Sequence, residues 1–297
     1  MRNGIMRNEY PKRMLIDKRY FQELLNEEIL SVDFLTQGQI GAIYTLQTPT
    51  QKLLLKTSEA SDRLQIEANM LEDIRKYEIT VPKVFDVSQT HLLTAFIETD
   101  TLTVEEQERV AAKILAKLHS VSNESRMYGY WYDTTIGPFP QNNEQTQYNW
   151  TLFLGQMRIM PMARICYDKG ILSKEMLTRL ELLCRDMYKR IDMSTIEPSL
   201  IHGDLWSGNI LFNMSGATLI DPAIYFADSE MELAFILMFD TFGKTFFETY
   251  TQTYPLSHDF HDVKLPLYQI YPYLLHAALY GKSYLPGLEH TLKKLKV

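Results

Sequence analysis

Three side chains with oxygen ligands, Asp204, Asn209 and Asp221, lie in two polar stretches that apolar segments flank. Phosphoryl transfer requires a carboxylate that orients the attacking hydroxyl and accepts its proton, together with oxygen ligands for the cations that neutralise the phosphates. Asp204 can supply the carboxylate, and Asn209 and Asp221 can supply the ligands. Because Asp204 and Asn209 stand at opposite ends of one short loop and Asp221 ends the next strand-like run, a hairpin would bring the three together.

Glycines and a histidine accompany this loop. Gly203 and Gly208 permit the tight backbone that such convergence requires. A His-Gly-Asp triplet alone would be interpreted as a turn with a capping aspartate. The full set of Asp204, Asn209 and Asp221 instead favours a catalytic role for this loop. We interpret His202 as a residue that orients the loop through hydrogen bonds and does not react.

Further candidates for nucleotide binding lie upstream. Lys56 ends an apolar run and can reach the α- and β-phosphates, and Glu67 on the next predicted helix can hold it by an ion pair. Alternatively, Lys56 is an exposed strand-end lysine and Glu67 lies on a solvated helix face. Gly38 and Gly41 could let backbone N–H groups approach phosphates, or could simply form a hairpin turn. Glu98 closes the segment 95–98, whose backbone could bond an adenine edge.

The first hundred residues predict a small antiparallel sheet with one helix. Alternating runs at 34–36, 43–47, 53–56 and 92–97 are typical of strands. Apolar residues at helical spacing, with Ser61 as a possible cap, predict a helix over 61–76. The predicted order is three strands, a helix and two strands.

The remainder predicts a mainly helical unit. Thr103 and Glu106 form a capping box before a helix that runs to about Ser120. Further helical patterns cover 148–168, 174–191, 229–243, 263–280 and 288–295, whereas 128–143 lacks a period and predicts a long surface loop. We therefore predict an α+β fold of two lobes, with domains at 1–98 and 99–297 and a ligand site in the cleft between them.

Composition excludes several classes of protein. The 30 Lys and Arg against 37 Asp and Glu give a formal charge of −7, which disfavours nucleic-acid binding. Cys166 and Cys184 are too few for a disulfide framework or a zinc cage, and a reducing cytoplasm fits them best. The longest apolar run spans seven residues, 233–239, so we expect no membrane segment, and residues 1–13 predict a frayed or helical leader without a secretion signal.

Several segments resemble the fructosamine kinase (ketosamine 3-kinase) family. The strongest are HGDLWSGN at 202–209, DPA at 221–223 and YFADSEMELA at 225–234. Residues 143–158 and 242–250, and the tail 268–276, are similar to that family as well. Aminoglycoside and choline kinases share the His-Gly-Asp and Asn skeleton, but the Leu-Trp-Ser-Gly-Asn continuation is typical of the fructosamine branch.

The resemblance implies a protein-kinase-like fold and ATP-dependent phosphorylation of a ketosamine, free or formed on a protein lysine. The family's target is the third hydroxyl of the sugar, and the unstable product releases the sugar from the amine, which is deglycation. On this basis the catalytic base matches Asp204, the Mg²⁺ ligands match Asn209 and Asp221, and the phosphate lysine with its partner matches Lys56 and Glu67. We expect a monomer in preference to an oligomer.

Other positions allow two interpretations each. The resemblance places Trp206 and His276 on the substrate side, yet a tryptophan after a turn is also core filler and a helix histidine can be buried and hydrogen-bonded. Asp228 could bind a substrate amine or favour a helix N-terminus. The glycine loop is leaner than in relatives and has no cysteine, so we expect no redox switch there.

Two alternatives to a ketosamine kinase are considered. The same residues would serve a kinase of aminoglycosides, choline or another hydroxylated amine, and the acidic surface would suit such cations. A nucleotide-binding pseudokinase scaffold would typically lack the lysine, the base or the metal aspartate, and this sequence retains all three.

Overall fold

The computed structural model describes residues 16–38, 41–59, 61–144 and 148–297. The leader predicted at 1–13 lies outside this part of the chain. The description begins with helix α1 (Lys18–Leu25), which the sequence analysis does not predict; the Asp17 side chain caps it by accepting the backbone N–H of Arg19 at 3.0 Å.

A five-stranded antiparallel sheet follows in the order β1-β2-β3-β5-β4. Its strands are β1 (Ser31–Gln37), β2 (Ala42–Gln47), β3 (Lys52–Thr57), β4 (Val84–Val87) and β5 (His91–Ala95). Helix α2 (Arg63–Arg75) lies between β3 and β4, so the predicted order of elements is confirmed.

Alternation along β3 directs Lys56 away from the core. Leu53 and Leu55 are fully buried in a cluster that includes Phe21 of α1 and neighbouring sheet residues, whereas Leu54 and Lys56 line a cavity on the other face. Successive side chains on a strand point to opposite faces. The alternation along β3 therefore buries Leu53 and Leu55 on one face and places Lys56 in the cavity on the other.

Helix α3 (Val104–His119) begins with the predicted capping box. Thr103 Oγ1 accepts the backbone N–H of Glu106 at 3.3 Å, and Glu106 Oε2 accepts the backbone N–H of Thr103 at 2.9 Å. Each side chain satisfies an N–H group that the helix itself leaves unpaired.

The prediction of a long surface loop at 128–143 is wrong. This segment contains a short hairpin, β6 (Thr134–Ile136) and β7 (Phe139–Gln141), and several of its side chains are buried. Asn143 is fully buried and donates to Thr134 Oγ1 at 2.7 Å. Buried polar partners hold this segment in place, which a search for hydrophobic periodicity does not detect.

The rest of the chain is mainly helical, with short strands around the polar loop. Its helices are α4 (Trp150–Phe153), α5 (Met160–Asp168), α6 (Lys174–Asp186), α7 (Glu230–Met238), α8 (Lys244–Tyr250), α9 (Leu265–Tyr268), α10 (Ile270–Tyr280) and α11 (Leu285–Lys294). Its strands are β8 (Ser199–Ile201), β9 (Ile210–Asn213), β10 (Gly216–Leu219) and β11 (Tyr225–Ala227).

Local irregularities divide some of the predicted helices. A π-helical turn, Leu154–Ile159, separates α4 from α5, and another, Phe260–Lys264, precedes α9. Helix α8 is not predicted. Among the residues that the structure describes, we find no helix with the length and apolar composition that crossing a bilayer requires.

Candidate active site

The loop between β8 and β9 brings Asp204 and Asn209 together. The amide nitrogen of Asn209 donates to the backbone carbonyl of Asp204 at 2.7 Å and to its carboxylate at 3.2 Å. Both bonds use the amide nitrogen, so the amide oxygen of Asn209 is left as the group that can ligate a cation.

Gly203 meets two local requirements of this loop. Its φ of +84° lies in the left-handed region, and a Cβ there would come within 2.2 Å of the Ala223 carbonyl oxygen. Only glycine fits such a close approach without strain. The predicted role of Gly203 in a tight turn therefore has a steric basis.

Asp221 follows β10 and lies opposite Lys56. Its φ of 52° is unusual for a residue with a side chain, although aspartate tolerates this region better than most. The Lys56 ammonium donates to Asp221 Oδ1 and, at 2.6 Å, to Glu67 Oε1. Strand β3, helix α2 and the loop after β10 thus meet at one cation.

Burial and neighbouring charges set the protonation of these groups. Burial alone would lower the pKa of Lys56, but the Glu67 and Asp221 carboxylates outweigh it and raise the pKa. Burial raises the pKa of Asp204 to about 7, with a further contribution from the Asp221 carboxylate and an opposing one from Asn209. For Asp221, whose carboxylate is only partly enclosed by the cavity, the loss of solvent is outweighed by the Lys56 ammonium, and the pKa falls.

The buried carboxylate of Glu232 holds the backbone of the loop at 202–203. The sequence analysis does not single out this residue. Glu232 on α7 accepts the backbone N–H groups of His202 at 2.9 Å and of Gly203 at 2.7 Å. Its Oε2 also lies 3.0 Å from His119 Nε2. The lone carboxylates in the otherwise apolar α7 are the sequence signal for this role, because a buried charge requires partners.

His202 is buried, in keeping with the predicted structural role. Its Nε2 lies 2.9 Å from the Ile220 carbonyl, immediately before Asp221. Burial lowers the pKa of His202, more strongly than the nearby Glu232 carboxylate raises it. A neutral imidazole here links the two polar stretches through the backbone.

Most of the predicted site residues line one cavity of about 240 Å³, which we call the polar cavity. It is lined by the following predicted residues: Gly38, Gly41, Lys56, Glu67, Asp204, Trp206, Asn209 and Asp221. Arg63, Thr57 and the hairpin residues 135–137 line it too, and none of these is predicted from the sequence.

An adjoining apolar cavity of about 310 Å³ shares Lys56, Glu67 and Asp221 with the polar cavity. Leu54, Leu211 and the segment 95–97 also line it. Glu98 does not: its exposed carboxylate pairs with Lys52 at 3.7 Å, and its carbonyl accepts from Asn213 at 3.3 Å. Apolar walls beside a cation are suited to a flat base with attached phosphates.

Trp206 projects into the polar cavity with 45% of its surface exposed. A Cβ on Gly208 would come within 2.4 Å of the indole ring. Gly208 therefore allows the indole to lie across the loop backbone. This position is consistent with the predicted pocket role and not with core filling.

Two predicted substrate residues lie outside both cavities. His276 Nδ1 is 2.9 Å from the Pro272 carbonyl, and its ring packs beside Phe239 and Tyr284. Asp228 is 4% exposed and accepts from Tyr268 at 2.6 Å and pairs with Lys264 at 2.9 Å. An amine could reach Asp228 only by disrupting these bonds.

The donors at the cavity fit a Mg²⁺ site. In the described ranges, no group of three or more His, Cys, Asp or Glu could hold a metal unaided. The Asp221 side chain is 45% exposed, and Asn209 retains its amide oxygen. Mg²⁺ commonly takes one or two protein oxygens and completes its shell with water and phosphate oxygens, which matches this pair.

Comparison with known proteins identifies the family. The family model for fructosamine kinase matches residues 15–297. The chain belongs to the fructosamine kinase family. It is therefore a phosphotransferase with a hydroxyl acceptor, as the sequence analysis predicts.

Curated relatives align over nearly their whole length. The "Probable ketoamine kinase" of Lactiplantibacillus plantarum is 27% identical over 94% of this chain and 99% of its own. The "Probable ketoamine kinase YniA" of Escherichia coli K12 is 29% identical over 93% of this chain and 97% of its own.

Solved structures confirm the fold. A candidate fructosamine-3-kinase from Thermobifida fusca superposes with a TM-score of 0.84 at 26% identity, covering 94% of this chain and 98% of that one. A streptomycin–ATP complex of the aminoglycoside phosphotransferase APH(2″)-IIa gives a TM-score of 0.64 at 17% identity over 94% and 97%. The predicted protein-kinase-like α+β fold is confirmed.

Proposed function

We propose that this kinase transfers the γ-phosphoryl group of Mg-ATP to a sugar hydroxyl, the third, of a ketosamine of fructosamine or ribulosamine type. The observation that carries the proposal is the convergence of Asp204, Asn209, Asp221 and Lys56 on one cavity beneath a glycine loop. Membership of the fructosamine kinase family and the ketoamine kinase names of its relatives support the acceptor class.

Each group has a distinct task in this mechanism. Asp204 orients the acceptor hydroxyl and takes its proton as the oxygen attacks the γ-phosphorus, while the bond from that phosphorus to the β–γ bridging oxygen breaks and ADP leaves. Lys56, held by Glu67, contacts the phosphates, and Gly38 and Gly41 let the backbone approach them. The apolar cavity seats the adenine.

Asn209 and Asp221 are the residues that would hold Mg²⁺. The ion supplies electrostatic stabilisation of the charge on the phosphate oxygens. A cation held by these residues would also favour the ionised form of Asp204, whose pKa burial and the Asp221 carboxylate raise. The resting contact between Lys56 and Asp221 keeps both charges compensated before the nucleotide binds.

We infer that the product is a ketosamine phosphate whose breakdown eliminates phosphate and, with one water, cleaves the carbon–nitrogen link, so that the free amine and a deoxy dicarbonyl sugar are released. This would make the enzyme part of deglycation, acting on small ketosamines and on glycated lysines of proteins. The exposed indole of Trp206 in the polar cavity supports a sugar-binding wall, because an aromatic face stacks well on a sugar ring. We place the protein in the cytoplasm and treat it as two domains, 1–98 and 99–297.

A panel of possible acceptors tests this proposal. Purified protein is incubated with Mg-ATP and, separately, with a free fructosamine, a ribulosamine, a glycated protein, an aminoglycoside and choline, and the phosphate is located by NMR. We expect phosphorylation at the third hydroxyl of the ketosamines. Turnover confined to choline or the aminoglycoside would refute the acceptor assignment while leaving the kinase assignment intact.

A further inference from the structure

The β6–β7 hairpin lies beside the reacting groups but has no part in the mechanism above. Thr135, Ile136 and Gly137 line the polar cavity together with Asp204 and Trp206. The hairpin therefore forms part of the wall of the space in which the acceptor must sit.

Buried polar groups fix one side of this hairpin. Asn143, fully buried, donates to Thr134 Oγ1 at 2.7 Å and to the Tyr132 carbonyl at 3.2 Å. Arg158, 1% exposed, donates to the Asn142 carbonyl at 2.8 Å and to the Asn143 side chain. These buried hydrogen bonds hold the wall in position when a ligand enters.

The other side is tied to α2, the helix that carries Glu67. The Arg63 guanidinium donates to the Pro138 carbonyl at 3.0 Å. The hydroxyls of Tyr130 and Tyr132 both donate to Asp73 Oδ2, at 3.1 Å and 2.8 Å. The hairpin is thus held between the helical part of the chain and the helix that positions Lys56.

Two neighbouring threonines on β6 differ in how their hydroxyls are used. Thr134 is 1% exposed and its hydroxyl accepts from Asn143, whereas Thr135 is half-buried and lines the cavity. Within the ranges that the structure describes, the Thr135 hydroxyl has no hydrogen-bond partner. A hydroxyl both donates and accepts, which makes it suited to a sugar hydroxyl.

We propose that Thr135 is a specificity-determining residue that hydrogen-bonds a hydroxyl of the acceptor, on a hairpin that Arg63 positions. The inference rests on the proposed function in one respect, namely that the acceptor is polyhydroxylated. A site with a hydroxyl aimed at a substrate hydroxyl discriminates against the analogue that lacks it, because the group is then left unpaired.

The test compares the wild-type enzyme and Thr135→Val on an acceptor and on its monodeoxy analogues. Valine keeps the shape and removes the hydroxyl. We expect the wild type to disfavour one deoxy analogue by about tenfold in kcat/KM, and Thr135→Val to lose most of that discrimination. The KM for ATP and the melting temperature should stay unchanged, and Thr178→Val, on the exposed face of α6, should behave as wild type.

A second variant tests the positioning role of Arg63. Arg63→Ala should raise the KM for the acceptor by about threefold to tenfold, and by more than it raises the KM for ATP, because the Arg63 side chain bonds the hairpin although it also lines the polar cavity. Arg75→Ala is its matched control, because Arg75 also lies on α2 and also donates to a proline carbonyl, that of Pro82 at 2.6 Å, which lines the apolar cavity and not the polar cavity. This control should leave the acceptor KM unchanged.

Several results would overturn the inference. They are an unaltered deoxy-analogue profile in Thr135→Val, an effect confined to the KM for ATP, or equal effects of Arg63→Ala and Arg75→Ala. The experiment uses whichever polyhydroxylated acceptor of the panel the wild type phosphorylates, with deoxy analogues that keep the hydroxyl that is phosphorylated. Failure of the ketosamines alone therefore refutes the proposed acceptor class, while the deoxy comparison still decides the role of Thr135.

Discussion

The floor and the roof of the polar cavity are built in different ways. The floor, residues 202–209, is held by Glu232, a carboxylate with 1% of its side chain exposed that binds two backbone N–H groups and His119. The roof, Gly38 and Gly41, is held by a backbone bond of 2.8 Å between them and by close packing on Thr57. Buried charge and hydrogen bonds hold the floor in place, whereas steric fit shapes the glycine loop.

The largest expected effect separates the carboxylate of the floor, Asp204, from the neighbouring carboxylate of Asp221. Asp204→Asn should lower kcat by about 10²- to 10⁴-fold with Mg-ATP affinity retained, because only proton transfer is lost. Asp221→Asn should weaken the binding of Mg-ATP, because it removes the negative charge of the proposed cation ligand while asparagine still tolerates the left-handed backbone. Steady-state kinetics and calorimetric titration with Mg-ATP check both variants. Undiminished turnover in Asp204→Asn would contradict its role as the base.

The second effect concerns the anchor below the floor. Glu232→Gln should lower the free energy of unfolding by about 3 kcal/mol, because an amide N–H then faces backbone donors in a buried site. Turnover should fall at least about tenfold as Asp204 loses its position. Glu106→Gln, at the exposed capping box of α3, is the control and should cost far less stability. Equal losses in urea unfolding would show that Glu232 is no special anchor.

The roof gives a smaller effect with an internal control. A Cβ on Gly41 would lie 1.6 Å from the Thr57 carbonyl oxygen, whereas one on Gly38 would lie 3.3 Å from the Gly41 carbonyl oxygen. We expect Gly41→Ala to weaken Mg-ATP binding by about tenfold and Gly38→Ala by less than about threefold. The affinities follow from titration with Mg-ATP. The reverse ranking would mean that steric fit on Thr57 does not shape the roof.

The smallest effect is a dependence of stability on pH. Hydrogen bonds and the nearby His119 outweigh the burial of Glu232 and lower its pKa below the ordinary 4.5. The folded state then binds fewer protons than the unfolded state, so this stability is present above 4.5 and is lost as the pH falls through the folded-state pKa. The gap in unfolding free energy between wild type and Glu232→Gln should narrow from about pH 6 to about pH 3. A constant gap would contradict the assignment.

The sequence predicts a site residue well when local spacing alone determines its position. Asp204, Asn209 and Asp221 sit between apolar strands, and Lys56 follows an alternating run, so local spacing suffices to place them. Glu232 and the β6–β7 hairpin escape such reasoning because their partners are distant: His119 to Glu232 and Arg63 to Pro138 are long-range contacts. Asp228 and His276 show the opposite kind of error. The sequence predicts them as substrate residues, but their side chains are used in hydrogen bonds within the protein.

The most direct test of the account is a crystal structure of the enzyme with Mg²⁺, a non-hydrolysable ATP analogue and a ketosamine. We expect the acceptor hydroxyl about 2.6–3.2 Å from the Asp204 carboxylate and the metal bound by Asn209 and Asp221. A ketosamine seated away from Asp204, or a nucleotide outside the cavity that Lys56 lines, would contradict it.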